Sequence, residues 1–426
     1  SVMSALSEID FSAFDSEKLK VHNWDLEKKY SELILEGVMY QREHEEDDAK
    51  KISQDIVMLF ESPSTSASDT AFTNTKNYRF HDWPPPKSTR KKGILGPGRY
   101  ASMTGDSLPV FLREDAPPGL IDHWKAVLPG FVEPKFVQKI GKDQTVYAYL
   151  PVESLDKHLN NPAIHYHLAG KDAIHLMTQK TTRLLESTNT VRPCVVKTTH
   201  SMGSKGIFII RDENDEKQFQ HYLEQSGNPT YVITDFVDIH RNVACHFFMH
   251  PDSSITWFGS NENHRLPDGR FSSDSYLVMK DQAKLKRMQL PFVEEVVAYC
   301  HSLNFWGFCG MDVLFDSFGK GYLVDINPRV TGSCPALMAL SLFHKEFGFE
   351  VGLFRRSGAT TYHGSSAELL EEATAYNTEN EGKSRIVLHS FFEICGKTSV
   401  NIGVYGNDLD ECENVLNRFA QPAGDL

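Results

Sequence analysis

The chain has 426 residues, 40% of them hydrophobic, and a formal net charge of −13 at neutral pH. That length exceeds one average domain and predicts two or three packed units. The acidic balance argues against a nucleic-acid footprint and against an anionic membrane surface as partner.

No apolar run approaches membrane-spanning length. Ser1 to Ser16 lacks the basic start and apolar stretch of a signal peptide. The seven cysteines are scattered without paired spacing, which fits a reducing cytoplasm. Cys194, Cys245, Cys309 and Cys334 lie among apolar residues and read as core.

Residues 1 to about 60 are highly charged and helical in pattern, with Ile34, Leu35, Val38 and Met39 on one side of a helix. Glu43 to Asp48 reads as a solvated acidic face. Ser62 to Asn77 is a polar loop, and the Pro84-Pro85-Pro86 run stiffens the path of the chain after it. Gly93 to Arg99, GILGPGR, reads as an apolar piece entering a glycine turn, a weak phosphate-loop signal. Val110-Phe111, Phe136-Val137 and Thr145 to Leu150 read as strands and Leu120 to Val127 as a helix, a small α/β unit.

A helix is expected from Asp172 to Ser187, with Lys180 at the border of its apolar side, where position alone reads it as a surface lysine with a packed stem. Pro193 to Ile210 reads as a hairpin whose loop carries Ser201, Gly203, Ser204, Lys205 and Gly206. Small flexible loops of this kind let backbone N–H groups close over phosphate oxygens. Lys197 ends the first strand, where it either meets phosphate or guards a sheet edge. Asp212 is placed to cap a helix running to Gln225. Tyr231 to Val237, Arg241 to His250 and Ile255 to Gly259 read as strands, and Leu266 to Ser275 as a loop near a site. His264, just before that loop, is either a proton acceptor or an ordinary exposed histidine.

An amphipathic helix over Pro291 to Leu303 leads into the most informative stretch, Gly310 to Ser333. Two apolar runs, Met311 to Phe315 and Tyr322 to Ile326, flank a Gly-containing turn, the pattern of a hairpin. Each run is interrupted by one carboxylate, Asp312 and Asp325. Side chains alternate along a strand, so Asp325 and Asn327 share a face that Asp312 can meet from the neighbouring strand. Hard oxygen donors gathered in this way suit Mg²⁺ bridging nucleotide phosphates. Arg329 adds a planar cation beside them. Thr331, Gly332 and Ser333 then open an apolar helix. Ser357 to Ser384 reads as a polar excursion or linker. Arg385 to Phe391 and Thr398 to Tyr405 read as strands, and Leu409 to Phe419 as a capped terminal helix.

The order of these parts resembles the ATP-grasp superfamily of ligases: a lysine, a strand lysine with a Gly/Ser loop, a hinge-like strand end, then D…D-x-N-x-R in a hairpin. The resemblance covers about 93–345 and implies an α/β (α+β) fold, two α+β subdomains gripping ATP. The implied divisions are a helical region at 1–90, a pre-ATP-grasp α/β domain at 91–170, the ATP-grasp domain at 171–350 and a closing α+β subdomain at 351–426. It implies that Lys180 and Lys197 hold the α and β phosphates and that Ser201 to Gly206 form a lid. Backbone groups of Asp235, Phe236 and Val237 would read adenine. Asp312, Asp325 and Asn327 would hold Mg²⁺, for which Mn²⁺ can substitute, and Arg329 would stabilise the transferring phosphoryl group. The implied activity is an ADP-forming ligation of a small carboxylate to an amine through an acyl phosphate, in a cytoplasmic enzyme compatible with a homodimer. Two competing readings are a biotin-carboxylase-like ATPase activating bicarbonate and a non-catalytic ATP-binding module, whose mark would be loss of the metal ligands.

Overall fold

The computed structural model describes residues 18–42, 49–64, 71–81, 89–201, 206–265, 272–357 and 360–422. The acidic run at 43–48, the proline run at 82–88, Gly203, Ser204 and Lys205, and the loop at 266–271 lie outside them. Among the described residues no helix is long and apolar enough to cross a membrane.

The first strand, β1 (Val21–Asn23), joins the large sheet by pairing in parallel with Ile255–Trp257. Helix α1 (Tyr30–Arg42) buries Leu33, Ile34 and Val38, the side its apolar spacing marks out. Gly37 is required there, because a Cβ would stand 2.4 Å from the Trp306 ring. After α2 (Ala49–Asp55), strand β2 (Ile56–Leu59) starts a four-stranded parallel sheet. Helix α3 (Thr89–Ala101), β3 (Val110–Phe111), α4 (Leu120–Val127), β4 (Phe136–Val137) and β5 (Thr145–Ala148) complete that unit, in the order β4-β3-β2-β5.

Gly93 to Arg99 is helical, not the glycine turn its composition suggests. Pro97 lies inside α3. The poor helix formers there are offset by tertiary contacts, since the Leu95 carbonyl accepts from Ser390 Oγ at 3.0 Å and from Asn401 Nδ2 at 3.2 Å.

Two short helices, α5 (Pro162–Leu168) and α6 (Ile174–Met177), follow. The helix expected to run to Ser187 stops at Met177, because Thr178 turns extended and the chain then pairs sideways. Thr181 bridges Leu323, Leu184 bridges Thr234, and Leu185 N–H donates to Ile233 O at 2.9 Å. Strands β6 (Cys194–Thr198), β7 (Ile207–Ile210) and β8 (Tyr231–Asp235) form a small antiparallel sheet ordered β7-β6-β8. Helix α7 (Glu213–Gln225) packs on it, and Asp212 caps its first turn by accepting from Asn214 N and Asp215 N.

The large sheet has eleven strands. Its first part is β9 (Ile239–Met249), β10 (Ile255–Asn263), β11 (Ser275–Val278), β12 (Gly307–Asp316) and β13 (Gly321–Asn327). Helix α8 (Gln282–Ser302) precedes β12 and starts nine residues before the expected Pro291, which it contains. Helix α9 (Cys334–Phe347) follows β13.

The C-terminal strands β14 (Val351–Arg355), β15 (Thr360–Tyr362), β16 (Arg385–Ile394), β17 (Lys397–Gly406) and β18 (Gln421–Pro422) continue the same sheet, because β11 pairs with β14. The polar stretch at 357–384 is no bare linker. It contains β15 and α10 (Ser366–Glu379), whose start is a capping box of Ser365 and Glu368. Helix α11 (Leu409–Phe419), capped by Asp408, precedes β18.

The C-terminal strands are held against the parallel unit. Trp124 Nε1 donates to Leu388 O at 2.9 Å, Leu388 N–H donates to His123 Nε2 at 2.9 Å, and Arg385 Nη1 donates to Val127 O at 3.0 Å. Residues 89–101 and the start of α9 are thereby brought to one cleft.

Candidate active site

Strands β12 and β13 pair in a register that sets Asp312 opposite Asp325. Val324 has no partner on β12, a bulge beside the two carboxylates that re-aims the strand locally. Asn327 lies on the same face, its Nδ2 3.4 Å from Asp325 Oδ2. Its Oδ1 accepts from Arg329 Nη2 at 2.8 Å. The Arg329 guanidinium lies over the Tyr149 ring, 4.7 Å from the centroid. The turn between them is anchored by His165, whose Nε2 donates to Pro328 O at 2.8 Å.

Two buried lysines face this pair. Lys171 Nζ donates to Asp325 Oδ1 at 2.7 Å. Lys197, at the end of β6, keeps 9% of its surface. Burial and then the neighbouring Lys171 pull its pKa down to about 8, against the pull of Asp325. Burial pushes Asp312 up to about 7, and the Asp325 charge adds to this, while Lys171, Arg356 and Arg329 oppose it. For Asp325 burial acts in the same upward direction, but Lys171, Arg329 and Lys197 outweigh it and hold the carboxyl below its ordinary value. The two carboxylates therefore sit in different surroundings: the cations hold Asp325 below its ordinary value, while burial beside that charge raises Asp312.

A second layer fixes the turn at 331–333. Gly310 lies opposite His246 in the sheet, and a Cβ on it would stand 2.3 Å from Thr331 Cγ2, so only glycine lets the turn sit there. His246 Nε2 lies 2.6 Å from Asn261 Oδ1, an acceptor, so that nitrogen carries the proton. Burial pulls the His246 pKa down to about 4, which keeps the ring neutral, so Nδ1 accepts from Thr331 Oγ1 at 2.5 Å. Ser333 Oγ donates to Asn261 Oδ1 at 3.0 Å.

The structure thus brings together Asp312, Asp325, Asn327, Arg329 and Lys197. It adds Lys171, Tyr149 and His246, which sequence reasoning did not single out. No local signal marks Lys171, because its partner lies 154 residues away.

Lys180 is placed differently. Its ammonium pairs with Glu295 on α8, while its carbonyl accepts from Leu323 N–H at 2.8 Å. His264 stacks on Tyr276 with centroids 3.6 Å apart, and its charged neighbours are Glu262, Arg241 and Glu413 rather than the carboxylate pair. At the hinge, Asp235 is held by Arg183 through two bonds of 3.0 Å, and its N–H donates to the Arg183 carbonyl at 3.0 Å. Phe236 is 39% exposed beside it. The base of the Gly/Ser loop is closed by Thr198 N–H donating to Gly206 O at 2.8 Å. A Cβ on Gly206 would stand 2.7 Å from Ser201 Oγ.

Among the described residues no group of three or more His, Cys, Asp or Glu forms a protein-only metal cage. Mg²⁺ does not need one, because it is commonly held by one or two carboxylates together with substrate phosphates. The facing Asp312 and Asp325 fit that donor set. The Asn327 oxygen is engaged by Arg329, so its service as a ligand requires exchange of that bond.

The site is thus a hairpin with facing carboxylates, an adjoining arginine and two buried lysines, Lys197 reaching in from the small antiparallel sheet. Residues 175–327 match the family described as "L-aspartate--L-methionine ligase, ATP grasp". The match covers about a third of the chain and makes this segment similar to an ATP-grasp domain.

No curated protein sequence matches the chain. Among solved structures, the N5-carboxyaminoimidazole synthetase of Staphylococcus aureus complexed with ADP is similar at 14% identity and a TM-score of 0.49, covering 85% of this chain and 95% of that one. The N5-carboxyaminoimidazole synthase of Aspergillus clavatus with ADP and 5-aminoimidazole ribonucleotide is similar at 13% and 0.47, covering 86% and 97%. The biotin carboxylase domain of Hydrogenobacter thermophilus 2-oxoglutarate carboxylase gives 10% and 0.42, covering 66% and 70%.

Proposed function

We propose that the chain joins two amino acids, the carboxylate of one to the amine of the other, with L-aspartate and L-methionine as the first pair to test. The support is the description of the family matched at 175–327. The observation that carries the residue roles is the convergence of Lys171, Lys197 and Arg329 on the Asp312–Asp325 pair.

In this reading Lys171 and Lys197 hold the nucleotide phosphates, and the loop from Ser201 to Gly206 covers them. The hinge at Phe236 and Val237 meets the adenine edge, since the Asp235 N–H is taken by Arg183. Asp312 and Asp325 hold Mg²⁺, or Mn²⁺ in its place, which when bound neutralises charge on the transferring phosphoryl group. A carboxylate oxygen of the first substrate attacks the γ phosphorus, the bond to the β-bridging oxygen breaks, and ADP leaves. The amine then attacks the acyl carbon, phosphate departs with the C–O bond electrons, and the nitrogen gives up its proton. Arg329, fixed by Asn327 and Tyr149, stands where charge develops on the acyl phosphate. Alignment and charge neutralisation supply the catalysis.

The test is ADP release measured with L-aspartate, L-methionine, each alone and both together, with mass detection of the dipeptide. Aspartylmethionine formed only with both acids supports the reading. ADP release driven by bicarbonate with no amide product would replace it with the carboxylase reading.

A further inference from the structure

Three arginines from distant parts of the chain meet around Gly332. A Cβ on Gly332 would stand 2.8 Å from Arg99 Nη1 and 3.6 Å from Arg356 Cδ, so the glycine lets the Arg99 guanidinium and the Arg356 stem approach the turn. Arg329 approaches from the hairpin side, over Tyr149. Arg99 lies over Tyr100 at 4.9 Å, and the Tyr100 hydroxyl donates to that of Tyr149 at 3.3 Å. These two rings therefore link Arg99 to Arg329.

What sets the group apart is its missing counter-ions. Four other buried or half-buried arginines are in ion pairs: Arg113 with Glu61, Arg192 with Glu216, Arg241 with Glu262 and Arg355 with Asp274; a fifth, Arg385, donates to the Val127 carbonyl. Arg355 and Arg356 are adjacent, yet among the described residues only Arg355 has a carboxylate in an ion pair. Neither Arg99 nor Arg329 has one either. The Arg99 Nε is buried with no hydrogen-bond partner. Burial and then the neighbouring Arg99 pull the Arg356 pKa down, against the pull of Asp312, which faces Asp325. Gathering three like charges without a partner is costly, and a fold retains it where an anion is to be bound.

Arg329 alone accounts for the reacting acyl phosphate, and the lysines and carboxylate pair account for the nucleotide end. Two cations remain, both beside Gly332. A planar fork grips two oxygens of one anion, carboxylate or phosphate, and with the phosphates assigned to the lysines and Arg329 a carboxylate remains for these two.

We propose that Arg99 and Arg356, flanking Gly332, form a subsite for a second carboxylate, so that the carboxyl donor is a dicarboxylic acid. This rests on the ligase reading for the first carboxylate, but the subsite itself is testable without turnover. Arg99, Arg329 and Arg356 all lie outside the segment matched at 175–327, so the family match does not contain them. The subsite also gives the contact between α3 and the start of α9 a purpose: α3 delivers a specificity residue from the parallel unit into the cleft of the large sheet.

The experiment is calorimetric titration of the full chain, with Mg·ADP present, using succinate, L-aspartate, acetate and L-asparagine as probes. The wild type is expected to bind the first two and to bind the last two at least tenfold more weakly. Arg99→Met and Arg356→Met keep the stems and remove the charge. Each is expected to weaken succinate at least tenfold while leaving the affinity for Mg·ADP within twofold. In turnover, the preference of kcat/KM for aspartate over asparagine should collapse in both. Arg356 is the more exposed of the two, so its variant keeps the test open if Arg99→Met fails to fold.

Equal binding of succinate and acetate by the wild type overturns the proposal, as does unchanged succinate affinity in the folded variants. Loss of Mg·ADP affinity by the same factor would assign the arginines to phosphate instead. If succinate binding is lost in the variants but no amide forms with any acid, the ligase reading fails and the subsite stands.

Discussion

Lys171→Met tests the electrostatic core of the site. Lys171 keeps 8% of its side-chain surface and Asp325 keeps 30%, with 2.7 Å between charged atoms. Removing one member of a fully buried pair costs about 3–5 kcal/mol. Asp325 opens on the cleft, so water recovers part of that, and the expected loss is about 1–2 kcal/mol. Methionine keeps the length of the stem, so little of the loss is packing. The assay is urea unfolding at pH 7.5 in EDTA for the wild type, Lys171→Met, Asp325→Asn and the double variant. The double-mutant cycle should give a coupling of about 1–2 kcal/mol. Lys171→Met should also raise the KM for ATP about tenfold or more, as the site loses a phosphate cation. A coupling below about 0.3 kcal/mol, within the error of additivity, would show that the pair does not form in solution and would remove the basis for the role given to Lys171.

Lys197→Ala should weaken nucleotide binding in calorimetry, and unchanged affinity would move the phosphate site elsewhere. Asp325→Asn should leave the fold intact and abolish turnover, whereas unfolding with specific activity preserved per folded molecule would make Asp325 structural only. Gly310→Ala should destabilise the protein and lower kcat together, because its Cβ would stand 2.3 Å from Thr331 Cγ2 and must displace the turn at 331–333. His123 predicts an acid dependence of stability. Burial lowers its pKa from 6.5 to about 4, and its Nε2 accepts from Leu388 N–H, so the folded chain refuses a proton that the unfolded chain takes. This contribution is complete above pH 6.5 and falls away as pH drops toward 4, by about 3 kcal/mol at the lower end. His123→Gln should flatten the acid limb relative to wild type by about that amount, and parallel acid limbs would refute the assignment.

How far the site could be read in the sequence depended on how local its parts were. The hairpin with Asp312 and Asp325 was legible because carboxylates interrupting apolar strand patterns at fixed spacing are rare and self-contained. The caps at Asp212 and Asp408 were legible for the same reason: a cap and the N–H groups it serves lie within one turn. Lys171, Arg99, Arg356 and His246 were not, since each reaches the site only through tertiary packing. The stretch 172–187 has helical spacing, yet its threonines and its pairing with Leu323 and Thr234 draw it into extended structure after Met177. Gly93 to Arg99 misled in the opposite sense. Glycine and proline signal a turn in isolation, but contacts to Ser390 and Asn401 hold that stretch in a helix and aim Arg99 at the cleft. The ammonium of Lys180 goes to Glu295, while the lysine beside the Asp312–Asp325 pair is nine residues earlier, a difference that chain order alone does not reveal.

The most direct test of the account is the identity of the nucleotide product together with trapping of the activated acid. In the proposed reading the lysines grip the inner phosphates and Arg329 stands at the γ end, which predicts cleavage between β and γ. Incubation with ATP, Mg²⁺, the carboxyl donor and hydroxylamine, but no natural amine, should yield ADP, phosphate and one hydroxamate per ADP. Release of AMP and pyrophosphate instead would contradict both the assignment of the site and the roles given to Asp312, Asp325 and Arg329.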